Sequence, residues 1–341
     1  MLPIRIQRKS TLPIYAQIVG QVESLIRSGQ LKDSEPLPSM NALAEALDVS
    51  METVRRAYKI LRGRGLLRSS QGMGFFASAH DEKAPYRILL LFDRLTSYRT
   101  VTYRSFIAHL GKKAETTIHL YNHDMDLFEA FVQESVDKYD YYLIVPHFFN
   151  EDPARIRRIV SRIPRHKLIV LDREIEGLTG QFGSVYEASA EDVYDTLSAN
   201  GDVLDKYRDI QIVMSQNSLY KSIILPAMDR AITGRGKTYT VTEGFSPEQM
   251  RRGRLFLIIA GPMDTDHFNL LRAARESGLV FGRDVGLISY NDCPENEFIG
   301  DGLACLSTDF AEMGRLAAEM IGRGRMERIH NRFRLIRRGS V

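Results

Sequence analysis

Apolar residues recur at every third or fourth position in three stretches near the start of the chain, the spacing of helices that bury one face. The first stretch predicts a helix from Ile14 to Arg27. The second follows Ser39 and the third follows Ser50, and both hydroxyls can cap the first turn of a helix. Because only residues 48–50 separate the last two stretches, the sequence predicts a helix, a tight turn and a second helix.

Two short β-prone arms follow in residues 66–78 and flank the segment Gln71-Gly72-Met73-Gly74, which predicts a hairpin that forms a wing. The next residues are polar and end at Pro85, as expected of a linker. We therefore assign residues 1–78 to a winged helix-turn-helix DNA-binding domain and residues 79–85 to a linker.

From Tyr86 onward, short runs of continuous apolar residues alternate with helical stretches. Continuous apolarity predicts strands covered on both faces, and the alternation predicts parallel sheets. The remaining length suits two such sheets, so we predict an α/β fold of two lobes with a cleft between them. The apolar runs lie at 88–92, 117–121, 141–145, 167–171, 211–214, 255–260 and 285–289.

Composition and charge indicate the cellular compartment of the protein and the classes of molecule that it binds. No apolar run reaches the roughly 18 residues of a membrane span, and the N-terminus lacks a signal-like apolar stretch. With only two cysteines, Cys293 and Cys305, we expect a cytoplasmic protein without disulfides. Residues 1–80 carry eleven Lys or Arg against six Asp or Glu, whereas the rest is nearly neutral. This distribution suits a phosphate-binding head on a ligand-binding body.

The exposed face of the third helix has side chains suited to a DNA groove. Arg55, Arg56 and Lys59 can contact guanine edges or phosphates, and Glu52 can accept a hydrogen bond from cytosine. Thr53, near the helix start, can reach a phosphate or a thymine methyl group. The alternative is a merely solvated charged face. The capped turn, the wing glycines and the local basic surplus together favour DNA binding.

Residues 12–77 resemble the DNA-binding domain of the GntR family of bacterial regulators. The matching segments are LPIYAQIVGQVESLIRSGQL, LPSMNALAEALDVSMETVRRAYKILRGRGLL and GMGFF. The resemblance implies a dimer that binds pseudo-palindromic operator DNA, with the recognition helix in the major groove and the wing tip near the minor groove. It implies DNA contacts for Thr53, Arg55, Gly72 and Met73.

Two positions depart from the GntR pattern. Asn41 and Met51 stand where the family often has arginine, which predicts a different operator and a shallower salt dependence. The full predicted DNA-binding set is Ser39, Asn41, Met51, Glu52, Thr53, Arg55, Arg56, Lys59, Gly72 and Met73.

Residues 86–341 resemble the periplasmic-binding-protein-like core of LacI-family repressors, clearly from about residue 167 and only in pattern before it. The segments KLIVLDRE, ESGLVFGRDVGLISYNDCP, LSTDFAEMGRLAAEMI and FRLIRRGSV carry this resemblance. We assign about 86–184 and 293–322 to lobe 1, and about 185–292 and 323–341 to lobe 2. The resemblance implies a small-molecule effector between the lobes, coupled by cleft closure to dimer geometry.

Two groups of residues are expected to line the cleft. The LacI resemblance implies Arg173, Lys221, Met263, Asn291 and Phe310. Strand-end position alone adds Tyr98, Arg99, Tyr103, His147 and Phe148. Aromatic faces beside amide and charged groups suit a monosaccharide or a sugar derivative, and hence a carbohydrate-utilisation operon. The methionine stands where the family often has a polar residue, which favours a ligand with an apolar edge such as a deoxysugar.

Motifs for catalysis and cofactor binding occur in the wrong context. Gly72-Met73-Gly74 imitates a dinucleotide fingerprint but lies in a predicted hairpin, and residues 231–238 imitate a phosphate loop without its first glycine or its following helix. His119 and His123 have the spacing of a zinc pair but lie where a strand enters a turn. We predict no enzyme, cofactor or metal site. The alternative is a sugar-binding or sugar-modifying protein whose head is only a docking module.

Overall fold

The computed structural model describes residues 2–8, 13–27, 29–63, 65–70, 74–78, 85–149, 152–214, 218, 221–259 and 265–341. An N-terminal helical domain with a small sheet precedes two α/β lobes, each built on a six-stranded sheet. This arrangement confirms the predicted fold class. Among the described residues, no helix has the length and apolarity needed to span a bilayer.

The N-terminal domain confirms the predicted helix-turn-helix and hairpin. Its helices bury the apolar stripe read from the sequence, with Ile18, Val54 and Leu61 fully enclosed. Its sheet has the order β1-β3-β2 with antiparallel pairing. The elements are α1 (Ile14–Arg27), β1 (Pro36–Leu37), α2 (Met40–Leu47), α3 (Met51–Gly63), β2 (Leu67–Ser70) and β3 (Gly74–Ala77).

The sheet of lobe 1 has the strand order β14-β8-β7-β6-β4-β5, and all its strands are parallel. Helices cover both of its faces. Its elements are β4 (Tyr86–Phe92), α4 (Ser97–Leu110), β5 (Ala114–Leu120), α5 (Met125–Ser135), β6 (Tyr141–Ile144), α6 (Pro153–Val160), β7 (Leu168–Asp172), β8 (Gly183–Tyr186), α11 (Phe310–Arg323) and β14 (Arg328–His330).

Lobe 2 has the sheet order β10-β9-β11-β12-β13-β15, parallel except for the antiparallel edge pair β13 and β15. Its elements are α7 (Ser189–Ala199), α8 (Gly201–Asp205), β9 (Asp209–Val213), α9 (Lys221–Thr233), β10 (Tyr239–Thr242), β11 (Arg254–Ile258), α10 (Thr265–Glu276), β12 (Gly286–Tyr290), β13 (Ala304–Thr308) and β15 (Phe333–Ile336).

Strand β4 shows why the apolar runs are continuous rather than alternating. Ile88, Leu90 and Phe92 pack into the core on one face of the lobe 1 sheet, while Leu89 and Leu91 pack into the core on the other face. A strand covered by helices on both sides has no solvent-facing position for a polar residue.

Three connections pass between the lobes, and two of them differ from the predicted boundaries. Connection 1 (residues 187–188) joins β8 to α7, connection 2 (residue 309) joins β13 to α11, and connection 3 (residues 331–332) joins β14 to β15. The predicted crossing at residue 293 is wrong, because β13 pairs with β12 in lobe 2. The crossing predicted at residue 323 is also wrong, because β14 adds to the edge of lobe 1 beside β8.

Helix α1 of the N-terminal domain lies directly against lobe 1. A Cβ atom added to Gly20 would overlap the ring of His166, so the two surfaces are in close contact there. Beside this contact a cavity of about 1260 Å³ runs between the domains, lined on one side by residues such as Gln17 and on the other by residues such as Arg165.

Helix α4 crosses α11 within lobe 1 at a glycine, which generates a stability prediction. A Cβ on Gly314 would overlap the backbone carbonyl oxygen of Thr102, whereas a Cβ on Gly322, in the same helix, meets no atom within 4 Å. Gly314→Ala should lower the free energy of unfolding by about 1–3 kcal/mol through overpacking. Gly322→Ala should leave it unchanged or raise it by roughly 0.5–1 kcal/mol. Urea denaturation of both variants checks this, and equal stabilities would contradict it.

Candidate functional site

Helix α3 presents a polar face to solvent and an apolar face to the domain core. Val54, Ala57 and Leu61 are buried, whereas Arg55 and Lys59 are exposed. Two exposed cations separated by one helical turn can reach into a groove without disturbing the packing behind them.

Hydroxyl caps fix the start of the two helices. Ser39 Oγ accepts a hydrogen bond from the Ala42 N–H at 3.1 Å. Ser50 Oγ accepts one from the Thr53 N–H at 3.2 Å and lies 2.8 Å from Thr53 Oγ1. These bonds satisfy amides that would otherwise lack an intrahelical partner. Ser39 and Thr53 were predicted to contact DNA, and in the structure their side chains take part in the hydrogen bonds that fix the starts of α2 and α3.

Two further interactions hold α3 against its neighbours. Tyr58 Oη donates a hydrogen bond to the Pro38 carbonyl oxygen at 2.8 Å, and its ring meets that of Phe75 of the wing edge to face at 4.9 Å between centroids. Burial raises the pKa of Tyr58, so this hydroxyl remains a donor at neutral pH. The recognition helix is thus tied both to α2 and to the wing.

The predicted DNA-binding residues do not all share one surface. Arg55 Nη1 pairs with Glu52 Oε2 at 2.6 Å on the exposed face. Arg56 lies over the ring of Tyr15, 3.9 Å from its centroid, and so faces α1. Asn41, Met51 and Lys59 are exposed. Gly72 and Met73 lie outside the described residues.

A second polar cluster lies where the parallel strands of both lobes end, the edge at which open α/β sheets bind ligands. In lobe 1, Asp93, His147 and Glu187 follow strands β4, β6 and β8. Asp172 ends β7 with a φ of 78°, and in lobe 2 Asn291 follows β12 with a φ of 66°. Non-glycine residues held at positive φ are uncommon and concentrate at functional sites.

Arg99 of α4 occupies the centre of the lobe 1 cluster with only 1% of its surface exposed. Its Nη2 lies 2.5 Å from Asp172 Oδ2, and its Nε lies 3.4 Å from Asp93 Oδ1. His147 Nε2 lies 3.1 Å from the same Asp172 oxygen. A single cation therefore bridges two buried carboxylates. We call Asp93, Arg99, His147 and Asp172 the floor cluster.

The charges of the floor cluster follow from its burial and its partners. Burial by itself raises the pKa of Asp93 and Asp172, but Arg99 and His147 outweigh it and hold both carboxyl pKa values below their ordinary range. Burial lowers the pKa of His123, whose Nε2 lies 3.8 Å from Asp93 Oδ2. At neutral pH the two aspartates are ionised and His123 is uncharged.

Glu187 is the acid that the sequence did not reveal. Burial, and then the charge of Asp172, raise its pKa well above the ordinary value, which favours its protonated form. Ser189 Oγ donates to Glu187 Oε1 at 3.2 Å, while Oε2 has no hydrogen-bond partner among the described residues. Burial, and then the charge of Glu187, raise the pKa of Tyr290 of lobe 2.

The structure brings several predicted effector residues to this cleft and excludes others. The rings of Tyr98 and Phe310 lie 4.8 Å apart, and Asn291 is buried nearby on the lobe 2 side. Arg99 and His147 belong to the floor cluster. Arg173 and Lys221 are partly buried at strand and helix ends, and Met263 lies outside the described residues.

Two of the strand-end predictions are wrong. The ring of Phe148 is fully buried between Tyr121 and Phe128, in the core on the outer face of the sheet. Tyr103 lies about one turn beyond Arg99 along α4, and its hydroxyl is 3.1 Å from Thr116 Oγ1 of β5. The missed residues Asp93, Asp172, Glu187 and Tyr290 also stand at or just after strand ends, which was the available signal.

Comparison with known proteins supports the two parts of the chain separately. Residues 14–77 match the family "Bacterial regulatory proteins, gntR family". The "HTH-type transcriptional repressor NagR" of Bacillus subtilis is 40% identical over 75 residues, which are 22% of this chain and 31% of that protein. The chain thus matches less than a third of that relative, and the match lies in the head.

Solved structures resemble the lobes in fold. A Lac repressor dimer bound to operator and the anti-inducer ONPF has a TM-score of 0.59 at 14% identity, covering 76% of this chain and 94% of that one. A "transcriptional regulator CelR-cellobiose complex" has a TM-score of 0.56 at 13% identity, covering 89% and 100%. The N-terminal domain is of the GntR type, and the lobes have the LacI-like, periplasmic-binding-protein-like fold.

The raised pKa of Glu187 generates a pH prediction for Glu187→Gln. In acid, at about pH 4 and below, the glutamate is protonated in the folded and unfolded chains, so both proteins should melt at nearly the same temperature. As the pH rises, the unfolded glutamate ionises first while the buried one keeps its proton, so the wild type loses stability that the glutamine variant keeps. The variant should melt at increasingly higher temperature toward about pH 8.

Glu191, exposed in the first turn of α7, provides the matched control. Glu191→Gln should show no such growing gain in differential scanning calorimetry. A constant difference between Glu187→Gln and the wild type across the pH range would contradict the assignment.

Proposed function

We propose that the chain is a ligand-responsive transcription regulator that binds double-stranded, pseudo-palindromic operator DNA as a homodimer. The observation that carries this proposal is the exposed face of α3, with Arg55 and Lys59 projecting from a capped and packed helix inside a GntR-type head. The fold shared by the lobes and the Lac repressor dimer supports it. In this proposal α3 enters the major groove and the wing approaches the minor groove.

The ion pair between Glu52 and Arg55 has a part in DNA binding. In the free protein the carboxylate holds the guanidinium through Nη1 at 2.6 Å, so one of its five N–H donors is already engaged. A guanine edge offers it two acceptors in bidentate geometry, and the released carboxylate can accept from a neighbouring cytosine. On DNA lacking that base pair the carboxylate keeps Arg55 as its partner, and neither the bidentate guanine contact nor the cytosine bond forms, which favours a specific site over random sequence.

For the effector we propose a small sugar-like molecule, held between the lobes, whose binding changes operator affinity through dimer geometry. The paired rings of Tyr98 and Phe310 can cover an apolar sugar face, while Asn291 and the protonated Glu187 offer hydrogen bonds to hydroxyls. The CelR structure of the same fold is a complex with cellobiose. Control of a carbohydrate-utilisation operon follows from such an effector.

Footprinting on the DNA that flanks its own gene tests the regulator proposal. The full chain should protect a pseudo-palindrome at low salt, and Arg55→Ala should weaken this specific binding by about 1–3 kcal/mol if Arg55 contacts a base. Arg272→Ala, which removes an exposed charge from α10 in lobe 2, is the control and should bind as the wild type does. Absence of any protected site would contradict DNA regulation, and equal loss in both variants would indicate a nonspecific charge effect.

Thermal-shift screening over monosaccharides, their phosphates and deoxysugars tests the effector class. A ligand present at about a hundredfold its dissociation constant stabilises the folded chain by roughly 2.7 kcal/mol. Asn291→Gly keeps the positive φ of this position and removes only the side-chain amide, so it should reduce the shift. If no sugar raises the melting temperature, or if the shift is unchanged in Asn291→Gly, the proposed class or site is wrong.

A further inference from the structure

The three connections between the lobes run side by side, and one residue, through its backbone N–H and its side chain, bonds to the ends of the other two. Asn331 begins connection 3 and is only 1% exposed. Its backbone N–H donates to the Tyr186 carbonyl oxygen at 2.7 Å, at the end of β8 where connection 1 begins. Its side-chain Nδ2 donates to Thr308 Oγ1 at 3.0 Å and to the Asp309 carbonyl oxygen at 2.9 Å, both at connection 2.

The remaining bonds complete this arrangement. Asn331 Oδ1 accepts a hydrogen bond from the Arg332 N–H at 3.0 Å, so the amide is bound on both its nitrogen and its oxygen. The Asp309 N–H donates to the Arg332 carbonyl oxygen at 3.0 Å, which joins connections 2 and 3 a second time. Both side-chain N–H donors of Asn331 are therefore used, and both contact the neighbouring connection.

We propose that Asn331 joins the three connections into a single hinge, so that the lobes open and close in one concerted motion. Rotation of one lobe against the other requires backbone torsions to change in all three connections. Connections 2 and 3 share the fully bonded side-chain amide of Asn331, and the start of connection 1 is bonded to the backbone N–H of the same residue. These segments cannot change their torsions independently without breaking hydrogen bonds inside the protein, where an unsatisfied polar group is costly. Asn331 is a positioning residue: it sets the relation of the lobes and does not contact an effector.

The side chain has no equivalent substitute at this position. Aspartate would keep the acceptor for the Arg332 N–H but would place an oxygen against the Asp309 carbonyl oxygen. Alanine would leave Thr308 Oγ1 and that carbonyl without their donor. This hinge role is independent of what occupies the cleft, so its test needs no effector.

Amide hydrogen exchange of the full chain, read by mass spectrometry, tests the proposal. Each connection contains a hydrogen-bonded reporter amide: Glu187 donates to the Asp172 carbonyl oxygen at 2.9 Å, Asp309 to Arg332, and residue 331 to Tyr186. In Asn331→Ala all three reporters should exchange faster by about tenfold, the change expected when one net hydrogen bond is lost. Amides in the central strands of both sheets should keep the wild-type rate.

Asn296→Ala is the matched control. Asn296 is also fully buried, and its Nδ2 donates to Asp292 Oδ1 at 3.0 Å and contacts Cys305 Sγ at 3.2 Å, all within lobe 2. Its loss should speed exchange only in that part of lobe 2. The proposal is overturned if Asn331→Ala speeds exchange at residues 331–332 alone, or if Asn296→Ala speeds the same three reporters.

Thr308→Val keeps the shape of its side chain and removes the hydroxyl that accepts from Asn331 and also lies 3.5 Å from the Arg332 carbonyl oxygen. Hydrogen exchange at the same three reporter amides should be faster than in the wild type, by a smaller factor than in Asn331→Ala. If Asn331→Ala fails to show a cooperative thermal transition, Thr308→Val decides alone, and unchanged exchange at all three connections then overturns the proposal.

Discussion

The cleft depends on the contact between the Arg99 guanidinium and the Asp172 carboxylate. Two aspartates brought to one buried edge of a sheet repel one another, and each would take up a proton or draw water inside without a cation between them. Arg99 comes from α4, Asp93 from the end of β4 and Asp172 from the end of β7, so this ion pair locks a helix to two strands. The cluster specifies a geometry more than it adds stability, because desolvation offsets much of the attraction in a buried pair.

The floor cluster is bonded directly to Glu187, the first residue of connection 1. The Glu187 N–H donates to the Asp172 carbonyl oxygen, and the preceding residue, Tyr186, accepts from Asn331. The floor cluster, the protonated glutamate and the first connection therefore share one short stretch of backbone. Glu187 is itself the first residue of connection 1, so a ligand group that bonded to it would act directly on a segment that must turn when the lobes move.

The sequence predicted what short-range patterns determine. The three head helices, their serine caps and most central strands were read correctly, because periodicity and capping act within a few residues. The short edge strands β14 and β15 were not assigned, since three or four half-buried residues make no distinct pattern. Asp172 stood inside the quoted segment KLIVLDRE, yet its partner Arg99 lies 73 residues earlier, and only the folded chain joins them. The prediction that Phe148 lines the cleft was wrong because a strand-end position indicates the edge of the sheet but not the face toward which a side chain turns.

The contact between Gly20 and His166 limits how such a protein can be assembled from parts. Proteins built from a small head and a larger body are usually pictured as modules exchanged freely across a flexible joint. Here the outward side of α1 has been shaped to fit the body, down to the missing side chain at residue 20. A head moved from another protein would bring its own residue to that position and meet the imidazole. The two parts are therefore matched to each other at the surface they share, and an exchange of either part would have to preserve that fit.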